Sequence, residues 1–165
     1  MAIPHPKVEN ELIEVLACPK SGTHWLEALY RRSGWDCKSR HVVYSRWKGE
    51  GRVACLFREP RNMVISWCRH NKEKLTDDNI INRFHKYYRG TLVEDYLSYL
   101  PYWNDPNVTR HQFRDLYDEP PINSETKTPK HSDASQYWSS AVDRAYRDTG
   151  GYELEEELRG NGIYV

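Results

Sequence analysis

Ala17-Cys18-Pro19-Lys20-Ser21-Gly22-Thr23-His24-Trp25 decides the fold, because it ends an apolar run over residues 12–17 and opens a segment with Trp25, Leu26, Leu29 and Tyr30 at helical spacing. Strand, small-residue loop and helix in that order make a phosphate-binding loop. Backbone N–H groups converge on an anion, the helix offers its positive N-terminus, Lys20 adds a mobile cation, and Ser21 and Thr23 add hydroxyl donors. The nucleotide-kinase version of such a loop carries Lys and Ser/Thr after its second glycine, where the hydroxyl holds Mg²⁺. Here Lys20 precedes the loop's glycine, Gly22.

A second segment follows the same logic. Residues 52–57 read as a buried strand, and the chain continues Arg58-Glu59-Pro60-Arg61-Asn62-Met63-Val64-Ile65-Ser66. Pro60 suits the first turn of a helix, which sets Ser66 about two turns in, where its hydroxyl can share an anion with the Arg58 guanidinium. Pro19-Lys20-Ser21-Gly22-Thr23-x-Trp25 resembles the 5′-phosphosulfate loop of sulfotransferases that use 3′-phosphoadenosine 5′-phosphosulfate (PAPS), and Arg58…Pro60…Ser66 resembles that family's 3′-phosphate segment.

Two further stretches carry the resemblance downstream. After an expected strand over residues 107–112, Phe113-Arg114-Asp115-Leu116 resembles the family's Tyr-Glu-Asp-Leu, with the phenol lost. By the resemblance Phe113 would pack at the adenine, without the hydrogen bond that a phenol makes. The run from Lys127 to Trp138 matches the family's nucleotide-covering loop loosely, through Lys127, Asp133 and Trp138, while Pro129, Ser132 and Ala134 depart from its Gly and Trp positions.

Strands alternating with helices imply an α/β chain of the P-loop type: three layers, with a central parallel sheet flanked by helices and ligands at the carboxyl ends of the strands. Within that frame the sequence predicts a helix over 23–32 capped by Gly34, a strand over 41–44, a turn at 48–51 and a helix over 60–70. Residues 77–100 form the longest periodic segment, closed by Pro101 and bent or divided at Gly90. Residues 1–10 read as an N-terminal extension and 119–130 as a flexible loop that orders over bound nucleotide. Glu153, Glu155, Glu156 and Glu157 read as a solvated helix face.

The 165 residues fit one sulfotransferase-like domain, residues 1–165, with a useful core. Twenty-four basic residues balance 24 acidic ones, so no whole-molecule field draws the chain to nucleic acid or an anionic membrane. Cys18, Cys37, Cys55 and Cys68 form no CxxC pair and read as buried thiols, which fits a reducing, cytoplasmic compartment and no structural zinc. No run reaches the length of a membrane span. With 12 Tyr and 6 Trp, aromatic side chains exceed what a small core needs, and some are expected to line a cleft.

The resemblance implies transfer of a sulfuryl group from PAPS to a hydroxyl or amine acceptor without a metal, leaving 3′-phosphoadenosine 5′-phosphate. By it, Lys20 stabilises the leaving oxygen; Ser21, Gly22 and Thr23 hold the 5′-phosphate; Arg58 and Ser66 hold the 3′-phosphate; Lys127 adds a cation. Trp25 either stacks on adenine or belongs to the core. The acceptor proton calls for a base: His41 lies in the region where the family presents one, and His24, inside the loop, is the rival, with donor contact as its other role. The chain is short for the family, which implies an open cleft for an extended or carrier-bound acceptor, or a site completed by a second subunit as a homodimer. Two other readings stay open. One is a non-catalytic protein that keeps a 3′-phosphoadenosine pocket, suggested by Phe113 and Ala134. The other is a P-loop phosphotransferase, disfavoured by the place of Lys20 and by the lack of a metal-holding Asp at the end of the strand before Arg58.

Overall fold

Apolar residues on alternate positions of β1 (Leu12–Leu16) place this strand inside a four-stranded parallel sheet of order β2-β1-β3-β4. The elements in chain order are β1, α1 (Thr23–Arg32), β2 (Asp36–Arg40), β3 (Arg52–Phe57), α2 (Pro60–His70), α3 (Asp77–His85), α4 (Leu92–Leu97), α5 (Leu100–Asn104), β4 (Val108–Gln112), α6 (Ser140–Asp148) and α7 (Gly151–Gly160). The computed structural model describes residues 3–116 and 133–165. Of these, 3–57 with 99–116 form one compact unit and 58–98 with 133–165 another.

The first unit is a layered α/β structure. Ile13, Val15 and Ala17 project to one face of the sheet, where they meet Trp25, Leu26, Leu29 and Tyr30 of α1 together with Cys37, Ala54 and Leu56. The other face receives α5: Trp103 packs edge-on against Phe57 at 5.6 Å, and the Tyr102 hydroxyl donates to the Val42 carbonyl at 2.8 Å. Helices on both faces of a parallel sheet give the expected fold class. Residues 3–10 are tied to this unit, with Trp35 Nε1 donating to the Pro4 carbonyl at 2.6 Å. Beneath α1, buried His111 of β4 pairs with the Tyr30 hydroxyl at 2.7 Å, and burial holds its imidazole down to a pKa of about 4.

The second strand differs from expectation. It runs over Asp36–Arg40, not 41–44, and residues 44–46 form a single 3₁₀ turn. The reason is its place at the sheet edge: Cys37 is buried while Asp36, Lys38 and Arg40 face solvent, so a real strand carries little apolar signal. His41 therefore follows the strand's carboxyl end instead of opening it.

The second unit is helical. Its expected long helix is cut into α3 and α4, and Pro101 sits in the first turn of α5 instead of closing anything. The break has a local cause. The buried Asp95 carboxylate accepts from the backbone N–H groups of Tyr88 at 2.7 Å, Arg89 at 3.0 Å and Gly90 at 3.1 Å, which turns those amides out of a helical ladder. Thr91 and Glu94 then start α4 with reciprocal hydrogen bonds, a capping box. The glutamate run is corrected at one position: Glu153, Glu156 and Glu157 are exposed, but Glu155 is 5 % exposed and forms a two-point ion pair with Arg61 at 2.7 and 3.3 Å. The Tyr146 hydroxyl donates to the same carboxylate at 3.0 Å. All four cysteines are buried and unoxidised, and burial pushes the Cys37 and Cys55 thiols up to about 12.

Candidate functional site

The loop between β1 and α1 is built by three backbone features. Ser21 N–H and Oγ both donate to the Cys18 carbonyl, at 3.3 and 2.7 Å, closing a turn. Lys20 adopts φ +69°, a left-handed conformation that costs a side-chain-bearing residue on the order of 1 kcal/mol. Gly22 caps α1 at φ +94° with no side-chain capping bond, and no acidic residue occupies the first helical turn. At the start of α1 Trp25 N–H already bonds the Gly22 carbonyl at 3.1 Å, whereas the N–H groups of Thr23 and His24 precede the first helical acceptor, and the helix dipole adds partial positive charge there. An anion is the natural acceptor for that end.

Gly22 is required by more than its φ. A Cβ at that position would collide with the ring of Phe113, and Leu116 Cδ1 lies 3.6 Å away. Phe113 is 2 % exposed and sits in the core cluster under the loop, so its ring supports the loop from beneath. Trp25 shares that cluster at 4 % exposure, although its Nε1 is buried with no hydrogen-bond acceptor among the described residues. Thr23 is buried at the helix start. His24 points outward: its side chain is 96 % exposed and stands 4.0 Å from Glu27 Oε2.

The same unit brings His41 to the loop. Its Nδ1 lies 2.8 Å from the Ala17 carbonyl, at the point where β1 passes into the loop. A carbonyl oxygen only accepts, so Nδ1 carries the proton, and in the neutral ring Nε2 carries the lone pair. That is the tautomer a general base needs.

In the second unit, Arg58 is 5 % exposed and its carbonyl accepts from the Tyr96 hydroxyl. Pro60 opens α2 as expected, and Ser66, half-buried, lies two turns into that helix. Two neighbours of this segment escaped sequence reading. Tyr96 fixes the Arg58 backbone, and Asn62 Oδ1 accepts from Ala134 N–H at 3.1 Å, docking the 134–137 turn onto α2. Asn62 lies one turn after Arg58, and only that spacing could have marked it. Asp133 caps the same turn through Ser135 N–H at 3.0 Å, and Trp138 packs on Tyr146 and the Arg61 guanidinium. Lys127 and the loop over 119–130 lie outside the described residues.

Among the described residues, no group of three or more His, Cys, Asp or Glu side chains is placed to hold a metal ion, and no helix is long and apolar enough to cross a membrane. No protein-family model matches the chain, and no curated protein matches it. Among solved structures it is similar to mouse sulfotransferase SULT7A1 complexed with PAP, at 14% sequence identity and a TM-score of 0.62, over 92% of this chain and 86% of that one. The likeness shows that the chain has the sulfotransferase fold.

Proposed function

We propose that the protein transfers a sulfuryl group from PAPS to a hydroxyl or amine acceptor. The observation that carries this reading is the β1–α1 loop, a helix start without acidic or capping side chains, shaped by left-handed Lys20 and Gly22, in a chain of sulfotransferase fold. The PAP in the mouse structure makes a 3′-phosphoadenosine nucleotide the ligand to expect here. In this reading the loop amides and Thr23 hold the 5′ phosphate, and Arg58 and Ser66 hold the 3′ phosphate. Trp25 and Phe113 act from the core, setting the shape of the loop's floor. His24, exposed at the loop, is left as a donor contact.

The chemistry follows from the side chains. His41 Nε2 takes the acceptor proton, the acceptor oxygen forms a bond to sulfur, and the bond from sulfur to the bridging oxygen breaks. That electron pair settles on the 5′-phosphate oxygen, where the Lys20 ammonium offsets the growing charge. The Ala17 carbonyl accepts from Nδ1–H, so that the neutral His41 ring presents Nε2 to the acceptor before proton transfer. Ser21 directs its hydroxyl proton to Cys18, which leaves its oxygen as an acceptor and favours the backbone amides as phosphate donors.

Turnover by two variants tests the assignment. Lys20→Ala should lower the rate by about two to three orders of magnitude with a smaller loss of nucleotide affinity. His41→Ala should lower turnover with nucleotide affinity intact. Near-normal turnover in either variant removes that residue from the chemistry. Nucleotide binding with no turnover by the wild type against a panel of acceptors selects the non-catalytic reading, to which the departures at Phe113 and Ala134 point.

A further inference from the structure

The sheet face opposite α1 is covered by α5 near β4 but carries an open cavity of about 540 Å³ along β1, lined by Leu12, Glu14 and Leu16 and flanked by Arg40, Val42 and residues 46–48 and 50–52. Its charges do not balance. Glu14 is shared by Lys38 at 3.1 Å and Arg40 at 3.3 Å, and Arg52 is taken by Glu11 at 2.6 Å. Arg46 and Lys48 are exposed and have no ion-pair partner among the described residues, with Glu50 as the remaining lining carboxylate. The cluster therefore keeps an excess of positive charge in a concave wall, where field lines concentrate. Between the two cations in sequence lies Trp47, half-buried and braced by the rings of Tyr44 at 5.8 Å and Tyr102 at 5.6 Å. Its ring is held in place before any ligand arrives.

We propose that this cavity binds an acidic sugar, with a sulfate or carboxylate at Arg46 and Lys48 and a ring against Trp47. A braced indole offers a flat apolar surface for the C–H face of a sugar, and a guanidinium matches the paired oxygens of an acid group. The volume falls in the ordinary range for small-molecule sites, roughly 300–1,000 Å³. Two surplus cations are too few for a nucleic acid, whose binding draws on many phosphate contacts at once. Arg40 and Val42, which line the cavity, flank His41 in the chain. His41 itself does not line the cavity, so the acid-sugar site stands independently of the sulfotransferase reading.

The test titrates the full chain with a sulfated tetrasaccharide by calorimetry and tryptophan fluorescence, beside its desulfated counterpart and sodium sulfate at matched ionic strength. The sulfated sugar should bind, and the desulfated sugar and sodium sulfate should each bind at least about tenfold more weakly. Replacing both cations, Arg46→Ala with Lys48→Ala, should weaken binding by at least about tenfold, as should Trp47→Leu, with thermal unfolding unchanged for the exposed pair. Absent binding, equal binding of the desulfated sugar or of free sulfate, or full affinity without the two cations overturns the proposal. A PAP titration of the same samples separates the two ideas: sugar binding without PAP binding removes the sulfotransferase reading alone, and PAP binding without sugar binding removes the cavity's role alone.

Discussion

Gly22→Ala tests whether the loop conformation is set by the core beneath it. Two costs add in this substitution. An alanine at φ +94° pays the left-handed penalty of about 1–2 kcal/mol. Its methyl group would also enter the space of the Phe113 ring, with Leu116 Cδ1 at 3.6 Å blocking retreat, and overpacking of this kind costs about 1–3 kcal/mol. The sum is about 2–5 kcal/mol, which lowers Tm by on the order of 10 °C for a chain of this size. Urea unfolding followed by tryptophan fluorescence measures it, with an unchanged slope confirming that stability alone has moved. A cycle with Phe113→Ala separates the parts. That variant is itself destabilised by about 3–5 kcal/mol, but adding Gly22→Ala to it should cost only the backbone part, about 1–2 kcal/mol, leaving a coupling of about 1–3 kcal/mol. A loss below about 0.5 kcal/mol for Gly22→Ala, or a cycle with no coupling, refutes the reasoning.

His111 makes stability depend on pH. Its folded pKa of about 4 lies below the unfolded value near 6.5, so the unfolded chain binds more protons between the two. Its contribution is complete above pH 6.5 and declines as pH falls toward 4, by about 3 kcal/mol in all; His111→Gln should flatten that part of the profile, and an identical profile in the variant contradicts the assignment. Glu155→Gln strands the Arg61 guanidinium, whose side chain is 30% exposed, so the loss should be about 2–3 kcal/mol, below the fully buried case. A loss under about 0.5 kcal/mol in denaturant unfolding places Glu155 with its solvated neighbours.

The parts of the fold that came straight from sequence are those with strong local signals. Pro60 marked the start of α2 and the 3.6-residue apolar spacing marked α1, and both helices have the expected bounds. The strand Arg52–Phe57 was legible because it is buried and apolar from Val53 onward. The edge strand Asp36–Arg40 was not, since half of its side chains face water. The division of residues 77–100 was partly written in Gly90 and in the Thr91–Glu94 spacing, but the carboxylate of Asp95 reaching back to three amides is a contact that periodicity hides. Likewise, Glu155 differs from Glu156 and Glu157 through its contacts with Arg61, 94 residues earlier, and with Tyr146. At the site, the loop residues were readable as a motif, while the support from Phe113, the Ala17 carbonyl's hold on His41 and the docking role of Asn62 depend on which strands and turns lie side by side.

Calorimetric titration with 3′-phosphoadenosine 5′-phosphate, set against ATP with Mg²⁺ and adenosine 5′-phosphosulfate, tests the central claim most directly. The 3′-phosphorylated nucleotide should bind one per chain and, at about a hundred times its dissociation constant, stabilise the fold by roughly 2.7 kcal/mol, with the two ligands that lack the 3′-phosphate far weaker. No binding of 3′-phosphoadenosine 5′-phosphate, or equal binding of ATP with Mg²⁺, contradicts the account.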